Sequence, residues 1–314
     1  MPLPHSALAL ASFPDGWLTP EHFTFVDVPA IDPDGPMEDV LDDGDALLEN
    51  TYLSLDPYMR GRIAQGEHSY TSNFKLWQPI DGYGVSKILH SRNLRNPAGQ
   101  HVTSVVTRWS NYQVTKRATI EALEKATMWI LVEDEPDVPL TYYVGPLDVG
   151  LFKYGEPKKG ETLFVSGVSR AVGQAVIILA KSFSLRVIGS AGVTKRLLIA
   201  WNNYKKPPGG SILLAIKSIA PNGLVGDQQE FGGSDYSITN GRFIVPNRLM
   251  IRGFIVRDDR VEWIGRVFDD VKKQIREGKW KAYKEDARKG LEEAPSFFVG
   301  MLKGDNRGKA IIQL

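Results

Sequence analysis

Short runs in which apolar and polar residues alternate fill much of the first 120 residues of the chain. The runs at 23–28, 46–55 and 84–89 predict strands, because successive side chains of a strand point to opposite faces of a sheet. Residues 42–45 and 96–99 supply Asp, Pro and Gly, which are typical of turns between strands. This part of the chain is therefore predicted to form a small β-barrel or β-sandwich.

The hydrophobic period changes after about residue 140. Two apolar runs, 161–167 and 185–190, flank a segment at 171–182 whose apolar residues have helical spacing. A strand, a helix and a second strand in this order predict a βαβ unit with a tight turn between the first strand and the helix.

The remaining elements of the second half are farther apart. Residues 223–226 and 250–256 are candidate strands, and 261–276 have the pattern of an amphipathic helix. Gly278 follows this helix at the position where a glycine commonly ends one. Residues 309–314 predict a last strand. The chain is thus of the α/β class.

The interval 193–222 is too short for the usual content of a doubly wound domain, which has about six strands. Residues 197–201 and 211–219 have helical patterns, and the segment 202–210 between them is polar and rich in Pro and Gly. No strand pattern stands in this interval. The sheet is therefore predicted to lack its third and fourth strands.

Composition and charge exclude several function classes. The 314 residues are 42% hydrophobic and carry a formal net charge of +1, which is not the balance of a nucleic-acid or membrane-surface protein. The absence of cysteine excludes disulfides, thiolate zinc sites and a cysteine nucleophile. The five histidines are scattered, so no metal site is expected. No apolar run approaches about 18 residues and no signal-peptide pattern is present, so we expect a cytoplasmic protein without a membrane span.

The turn of the βαβ unit carries the first candidate chemistry. In a dinucleotide fold the pyrophosphate binds at the first helix N-terminus, and glycines allow the sharp turn and the close helix–strand contact. Gly167 and Gly173 stand at positions suited to these two tasks. Arg170 occupies the middle position, where a side chain is normally avoided. Its guanidinium either clamps a phosphate or blocks its approach, and the pattern leaves both alternatives open.

The second strand of the unit ends at Gly189 and Ser190, where an acidic residue would hydrogen-bond a ribose hydroxyl and select NAD. No acidic residue is present there, and Lys195 and Arg196 follow closely. Two cations at this point favour a 2′-phosphate, so NADP(H) is the expected cofactor. The alternative is that both cations are solvated helix residues.

Seven segments together resemble one family, the zinc-independent medium-chain dehydrogenases/reductases of the prostaglandin reductase group, which includes NADPH-dependent alkenal double-bond reductases. The resemblance implies a GroES-like barrel over residues 1–120, completed by 281–314, and a truncated Rossmann-type doubly wound domain over 121–280. It also implies a homodimer that uses NADPH to reduce the C=C bond of a small hydrophobic enone or alkenal. The matching segments are 50–62, 82–85, 139–143, 157–162, 171–174, 189–192 and 305–309.

The resemblance assigns roles to individual residues. Asn306 falls on the family asparagine near the nicotinamide, and Arg196 on the cation that reads the 2′-phosphate. Tyr58 corresponds to the wall of the substrate pocket, although a tyrosine packed in the barrel is the open alternative. Phe231 falls on the family's active-site tyrosine, so that hydroxyl is lost, and Tyr236 is a candidate substitute.

Two functions therefore remain in competition. The first is NADPH-dependent reduction of the C=C bond of an α,β-unsaturated ketone or aldehyde, with Tyr58 or Tyr236 as candidate catalytic residue. The alternative is a non-redox member of the family, which binds, isomerises or cyclises a hydrophobic polyene or enone without a cofactor. The first is preferred because Gly173, Lys195, Arg196 and Asn306 are retained.

Overall fold

The computed structural model of the chain describes residues 5–63, 71–144, 155–166, 171–190, 211–212 and 260–314. These residues form two compact units. The first unit draws on residues 1–145 and 286–314, and the second on residues 146–226 and 235–285.

The first unit is built on antiparallel strands, as the alternating pattern predicts. A seven-stranded sheet has the order β11-β12-β3-β4-β5-β7, and β6 pairs with residues 46–49 of β3 on the edge opposite β4. A separate hairpin-like pair, β1 and β2, is linked to this sheet because the Leu8 N–H donates to the Trp109 carbonyl at 2.8 Å. The strands are β1 (Ser6–Leu10), β2 (Phe23–Asp27), β3 (Ala46–Ser54), β4 (Asp81–Ser91), β5 (His101–Arg108), β6 (Tyr112–Thr115), β7 (Trp129–Val132), β11 (Glu285–Lys289) and β12 (Lys309–Gln313).

Three helices pack against these strands: α1 (Met59–Arg62), α2 (Arg117–Lys125) and α5 (Ala294–Lys303). The apolar face of α5 places Phe297 and Phe298, each 1% exposed, in the main core. Phe298 meets Trp109 edge to face, with ring centroids 6.1 Å apart. The C-terminal segment is therefore an integral part of the first unit.

The first unit extends beyond residue 120, where the sequence pattern places its end. β7 pairs with β5 in the main sheet, with Trp129 opposite Ser104. The 3-10 helix Leu140–Val144 is also attached, since the Thr103 hydroxyl donates to the Tyr143 carbonyl at 3.1 Å. The pairing of β7 with β5 sets the boundary of the first unit, and the local sequence pattern does not indicate this pairing.

The second unit contains a parallel sheet of three strands in the order β10-β8-β9. β8 (Thr162–Ser166), α3 (Ala171–Ser182) and β9 (Arg186–Ser190) form the predicted βαβ unit, and α4 (Arg260–Arg276) is the predicted amphipathic helix. Gly278 follows α4 in the left-handed conformation, with φ of 71°, and its N–H donates to the Ile275 carbonyl. No helix in the described part of the chain is both long and apolar enough to cross a membrane.

β10 (Ser211–Ile212) corrects one expectation. Residues 211–219 are predicted as helical, but Ser211 and Ile212 pair in parallel with Thr162 and Leu163 of β8. β10 therefore lies on the side of β8 opposite β9, which is the place of the fourth strand in a doubly wound sheet. A two-residue strand thus stands where the sequence pattern predicts none, and the rest of the interval 193–222 lies outside the described residues. The candidate strands at 223–226 and 250–256 lie outside the described residues.

Candidate functional site

The structure describes three of the predicted site residues together with their burial: Tyr58, Gly173 and Asn306. Ser190 is described only as the last residue of β9. The other predicted site residues lie outside the described part of the chain; they are Gly167, Arg170, Lys195, Arg196, Phe231 and Tyr236.

Tyr58 precedes the short helix α1 and has helical backbone angles, φ −61° and ψ −26°. Its ring meets Tyr83 of β4 edge to face, with centroids 6.2 Å apart and planes at 86°. Burial raises the pKa of Tyr58 well above its usual value, and the charge of Asp56 acts in the same direction. The phenol therefore stays protonated over the physiological range and can donate a hydrogen bond to a carbonyl oxygen.

Tyr83 is a candidate site residue that the sequence analysis did not single out, although its segment was matched to the family. It lies between Gly82 and Gly84, where the pairing of β4 with β5 shifts register. A Cβ at Gly84 would lie 2.6 Å from the Thr107 Cβ, so only glycine allows this close approach of the two strands. Such irregularities re-aim side chains next to active sites, and the paired glycines were the available signal.

Two buried arginines hold the chain that follows Tyr58. Arg62 Nη1 donates to Asp81 Oδ1 at 2.6 Å, and the guanidinium lies 4.0 Å from the Phe74 ring centroid. Arg60 Nη1 donates to the Ile63 carbonyl at 2.9 Å. A four-residue helix has little stability of its own, so these contacts fix the segment that begins at Tyr58.

Asn306 lies in the turn between α5 and β12. Its Nδ2 donates to the Gly308 carbonyl at 2.7 Å, and Gly308 has φ of 95°. This bond assigns the amide orientation and leaves Oδ1 as the remaining acceptor of the side chain. Oδ1 is buried, and no donor among the described residues reaches it. An unpaired buried acceptor of this kind fits the amide group of a nicotinamide, which carries N–H donors.

In the second unit, α3 begins five residues after β8 ends, with residues 167–170 between them. Gly173 is buried in the first turn of this helix. Gln174, in the next position, accepts a hydrogen bond from the Lys284 N–H at 2.8 Å, which ties α3 to the chain after α4. A parallel strand that leads through a short turn into a helix N-terminus is the arrangement that binds a dinucleotide pyrophosphate.

No metal centre is found in the described ranges, which contain no group of three or more His, Asp or Glu side chains placed to hold an ion. The candidate chemistry there consists of a protonated phenol, an aromatic neighbour and a buried amide acceptor, all contributed by the first unit.

Comparisons with known proteins agree with this arrangement. Residues 7–123 match the family described as the N-terminal domain of oxidoreductase. The chain is 31% identical to 2-alkenal reductase (NADP(+)-dependent) of Nicotiana tabacum, over 86% of this chain and 87% of that protein. It is 30% identical to prostaglandin reductase 1 of Bos taurus, over 87% and 90% of the two chains. CurA from Vibrio vulnificus, solved in complex with NADPH, has the same fold, with a TM-score of 0.72, 24% identity and 98% of both chains covered.

The lengths of these alignments bear on the shortened cofactor domain. The alignment with the tobacco protein runs over 313 residues but covers only 86% of the 314 residues of this chain. It therefore contains positions that only the relative occupies. The bovine alignment, 318 residues long over 87% of this chain, has the same property. The two relatives thus carry residues that this chain lacks within the matched region.

Proposed function

The chain belongs to the zinc-independent medium-chain dehydrogenase/reductase family, with a GroES-like barrel and a Rossmann-type domain, and from this premise we propose that it reduces the C=C bond of an α,β-unsaturated ketone or aldehyde with NADPH. The relatives named above support this reaction type. A small hydrophobic enone or alkenal is the proposed substrate class.

The observation that carries the proposal is the buried Oδ1 of Asn306. Its Nδ2 is already bound to Gly308, so the side chain presents one acceptor in a defined direction. Leaving a buried acceptor unpaired costs about 1–3 kcal/mol, and a bound nicotinamide amide would remove this cost. The residue also falls on the family asparagine expected beside the nicotinamide.

NADPH, when bound, supplies the hydride. The residues of this chain have the tasks of orienting the enone and stabilising the charge that develops on its oxygen. Tyr58 is suited to the second task because its phenol stays protonated and can donate to that oxygen. Tyr83 packs on the Tyr58 ring and limits its rotation. In this proposal Tyr58 touches substrate, and Asn306 touches cofactor.

The other contacts are proposed from the pattern of the βαβ unit and from family position. Phe231 lines the substrate pocket, and Tyr236 is a candidate second hydroxyl. A homodimer in the cytoplasm is also part of the proposal. The remaining cofactor contacts are Gly167, Arg170, Gly173, Ser190, Lys195 and Arg196.

Titration with NADPH, followed by nicotinamide fluorescence, tests the cofactor half of the proposal. We expect NADPH to bind in preference to NADH, and Asn306→Ala to weaken binding about tenfold, the factor that corresponds to about 1.4 kcal/mol. Asn111→Ala is the matched control, because the Asn111 side chain is exposed in the same unit, and it should leave the affinity unchanged.

The reaction itself is tested by the NADPH-dependent loss of an alkenal, with the saturated aldehyde identified as product. A cooperatively folded protein that binds no NADPH at millimolar concentration contradicts the proposal. The cofactor-free alternative, conversion or binding of a hydrophobic enone, would then be assayed by product analysis without nucleotide.

A further inference from the structure

An ion pair between a buried lysine and a partly buried aspartate joins the two segments that carry Tyr58 and Asn306. Lys309 is 4% exposed, and its Nζ donates to Asp56 Oδ1 at 2.6 Å. The same ammonium donates to the Ser54 hydroxyl and lies 3.4 Å from the Leu55 carbonyl. Ser54 in turn donates to Asp56 Oδ2 at 2.5 Å. All three ammonium hydrogens thus have an acceptor, and both carboxylate oxygens have a donor.

Strand register brings these residues together. In the antiparallel pair of β12 and β3, Ile311 lies opposite Ser54 and Ile312 opposite Leu53. The ladder continues past its end, since the Leu55 N–H donates to the Ala310 carbonyl at 3.1 Å. The same register places Lys309 directly opposite Asp56. The ion pair therefore closes the last step of this ladder.

Each residue of the ion pair lies close in the sequence to one proposed functional residue. Asp56 precedes Tyr58 by two residues, and its carbonyl accepts from the Met59 N–H at 3.1 Å, which forms the turn that carries Tyr58. Lys309 follows Gly308, the residue whose carbonyl holds the Asn306 amide. The Lys309–Asp56 ion pair thus connects the segment that carries Tyr58 with the segment that carries Asn306.

We propose that Lys309 and Asp56 are positioning residues that hold Tyr58 and Asn306 at the separation that hydride transfer requires. The inference rests on the proposed function. A buried ion pair is weak evidence for stability, because desolvation of the charges offsets most of their attraction, and fixing register is its best-attested use. Positioning matters for the reaction, since a misplacement of about 1 Å lowers a rate by about a hundredfold.

Amide hydrogen exchange tests the connection independently of activity. In Lys309→Met the substituted residue is in the tail, yet we expect exchange in residues 56–63 to accelerate at least about tenfold. Asp56→Asn keeps the side-chain shape and should accelerate exchange in residues 304–309 in the same way. Lys116→Met is the matched control, because it cuts another Lys–Asp pair of the same unit, with Asp45 at 2.8 Å. It should change neither segment. If each variant affects only its own segment, the inference is overturned.

Kinetics distinguish positioning from a purely structural role. For Lys309→Met and Asp56→Asn we expect kcat for alkenal reduction to fall at least about tenfold, while the Kd for NADPH rises by no more than it does for Asn306→Ala, about tenfold. The isotope effect from NADPH deuterated at C4 should rise, because hydride transfer becomes slower. The double variant should be no slower than either single variant, and Lys309→Arg, which keeps the charge, should recover part of the rate.

The two proposals fail in different ways. A variant that melts earlier but keeps the wild-type kcat and isotope effect overturns the positioning role while leaving the reductase function intact. A wild-type protein that binds no NADPH and reduces no alkenal contradicts the proposed function. It also contradicts the positioning role, because that role requires hydride transfer. The exchange result still decides whether the ion pair couples the two segments.

Discussion

The sheet of the first unit and helix α4 of the second each bury a glutamine. The two glutamines differ in how fully their side-chain amides are hydrogen-bonded. In the first unit, Gln113 is 4% exposed, accepts from the Arg108 N–H at 2.6 Å and donates to the Thr115 hydroxyl at 2.9 Å. In the second, Gln274 is 6% exposed, donates to the Ser182 hydroxyl at 3.2 Å, and its Oε1 has no donor among the described residues.

Glycines show the same contrast. Gly84 leaves no room for a Cβ beside Thr107, whereas a Cβ at Gly265 of α4 would meet nothing within 4 Å. The proposed substrate-side and nicotinamide-side residues stand in the tightly specified unit. The strands around Gly84 are therefore under tighter geometric constraint than the part of helix α4 around Gly265. Substitutions at paired positions in the two units can test this comparison.

The largest effect is expected from the two glycines. Gly84→Ala forces a methyl group into Thr107 and should destabilise the first unit by about 1–3 kcal/mol. Gly265→Ala adds a methyl group in open space on a helix and should stabilise by about 1 kcal/mol. Amide hydrogen exchange of β4–β5 and of α4 assigns each change to its unit. Equal effects of one sign at both sites would remove the contrast.

The two buried glutamines should respond with opposite signs. Gln113→Met leaves the Arg108 N–H without its acceptor and should destabilise by about 1–2 kcal/mol. Gln274→Met removes an unpaired acceptor, and Ser182 keeps its own bond to the Leu179 carbonyl at 2.7 Å. This variant should be neutral or stabilising by a few tenths of a kcal/mol. Denaturant midpoints of the two variants measure the difference, and a loss of stability in Gln274→Met would contradict it.

The sequence predicted the elements that depend on local apolar spacing better than those that depend on partners distant in the chain. Helices α3 and α4 follow from local apolar spacing, and the structure has them at almost the predicted bounds. β4 is longer than predicted because its ends pair with Arg108 and Ala46, which are distant in the chain. Helix α1 was not predicted, since side-chain contacts of Arg60 and Arg62 hold it. Residues 211–212 became a strand because β8 offers them a partner.

The candidate site was predicted only where single residues carry a family pattern. Tyr58 and Asn306 were identified in this way, and their roles remain proposals. The edge-to-face contact with Tyr83 and the ion pair of Lys309 with Asp56 were not anticipated. These partners are separated by up to 253 residues in the chain, and only strand register brings them together. Local spacing contains no information on such pairs.

The smallest effect concerns two carboxylates whose pKa values are both lowered. Asp45 is 2% exposed; burial pushes its pKa up, but hydrogen bonds from the Lys116 ammonium and the Arg117 and Asp42 N–H groups bring it below the usual value. Glu277 of the second unit is exposed, and a hydrogen bond from Lys279 lowers its pKa. A depressed pKa stabilises the fold above the unfolded pKa of about 3.9 for Asp, and this contribution is lost as pH falls through the folded pKa.

Asp45→Asn should therefore lower stability by about 1 kcal/mol at pH 7, since Asp45 also accepts from the first N–H of α2. The difference from wild type should shrink as the pH is lowered below about 4, where the carboxylate of the unfolded chain takes up a proton, and should be smallest once the folded carboxylate is protonated too. Glu277→Gln should match wild type at both pH values, because solvent screens an exposed pair. Urea midpoints at pH 7 and pH 3 measure both differences. A pH-independent loss in Asp45→Asn would mean that its hydrogen-bond geometry, rather than its charge, stabilises the first unit.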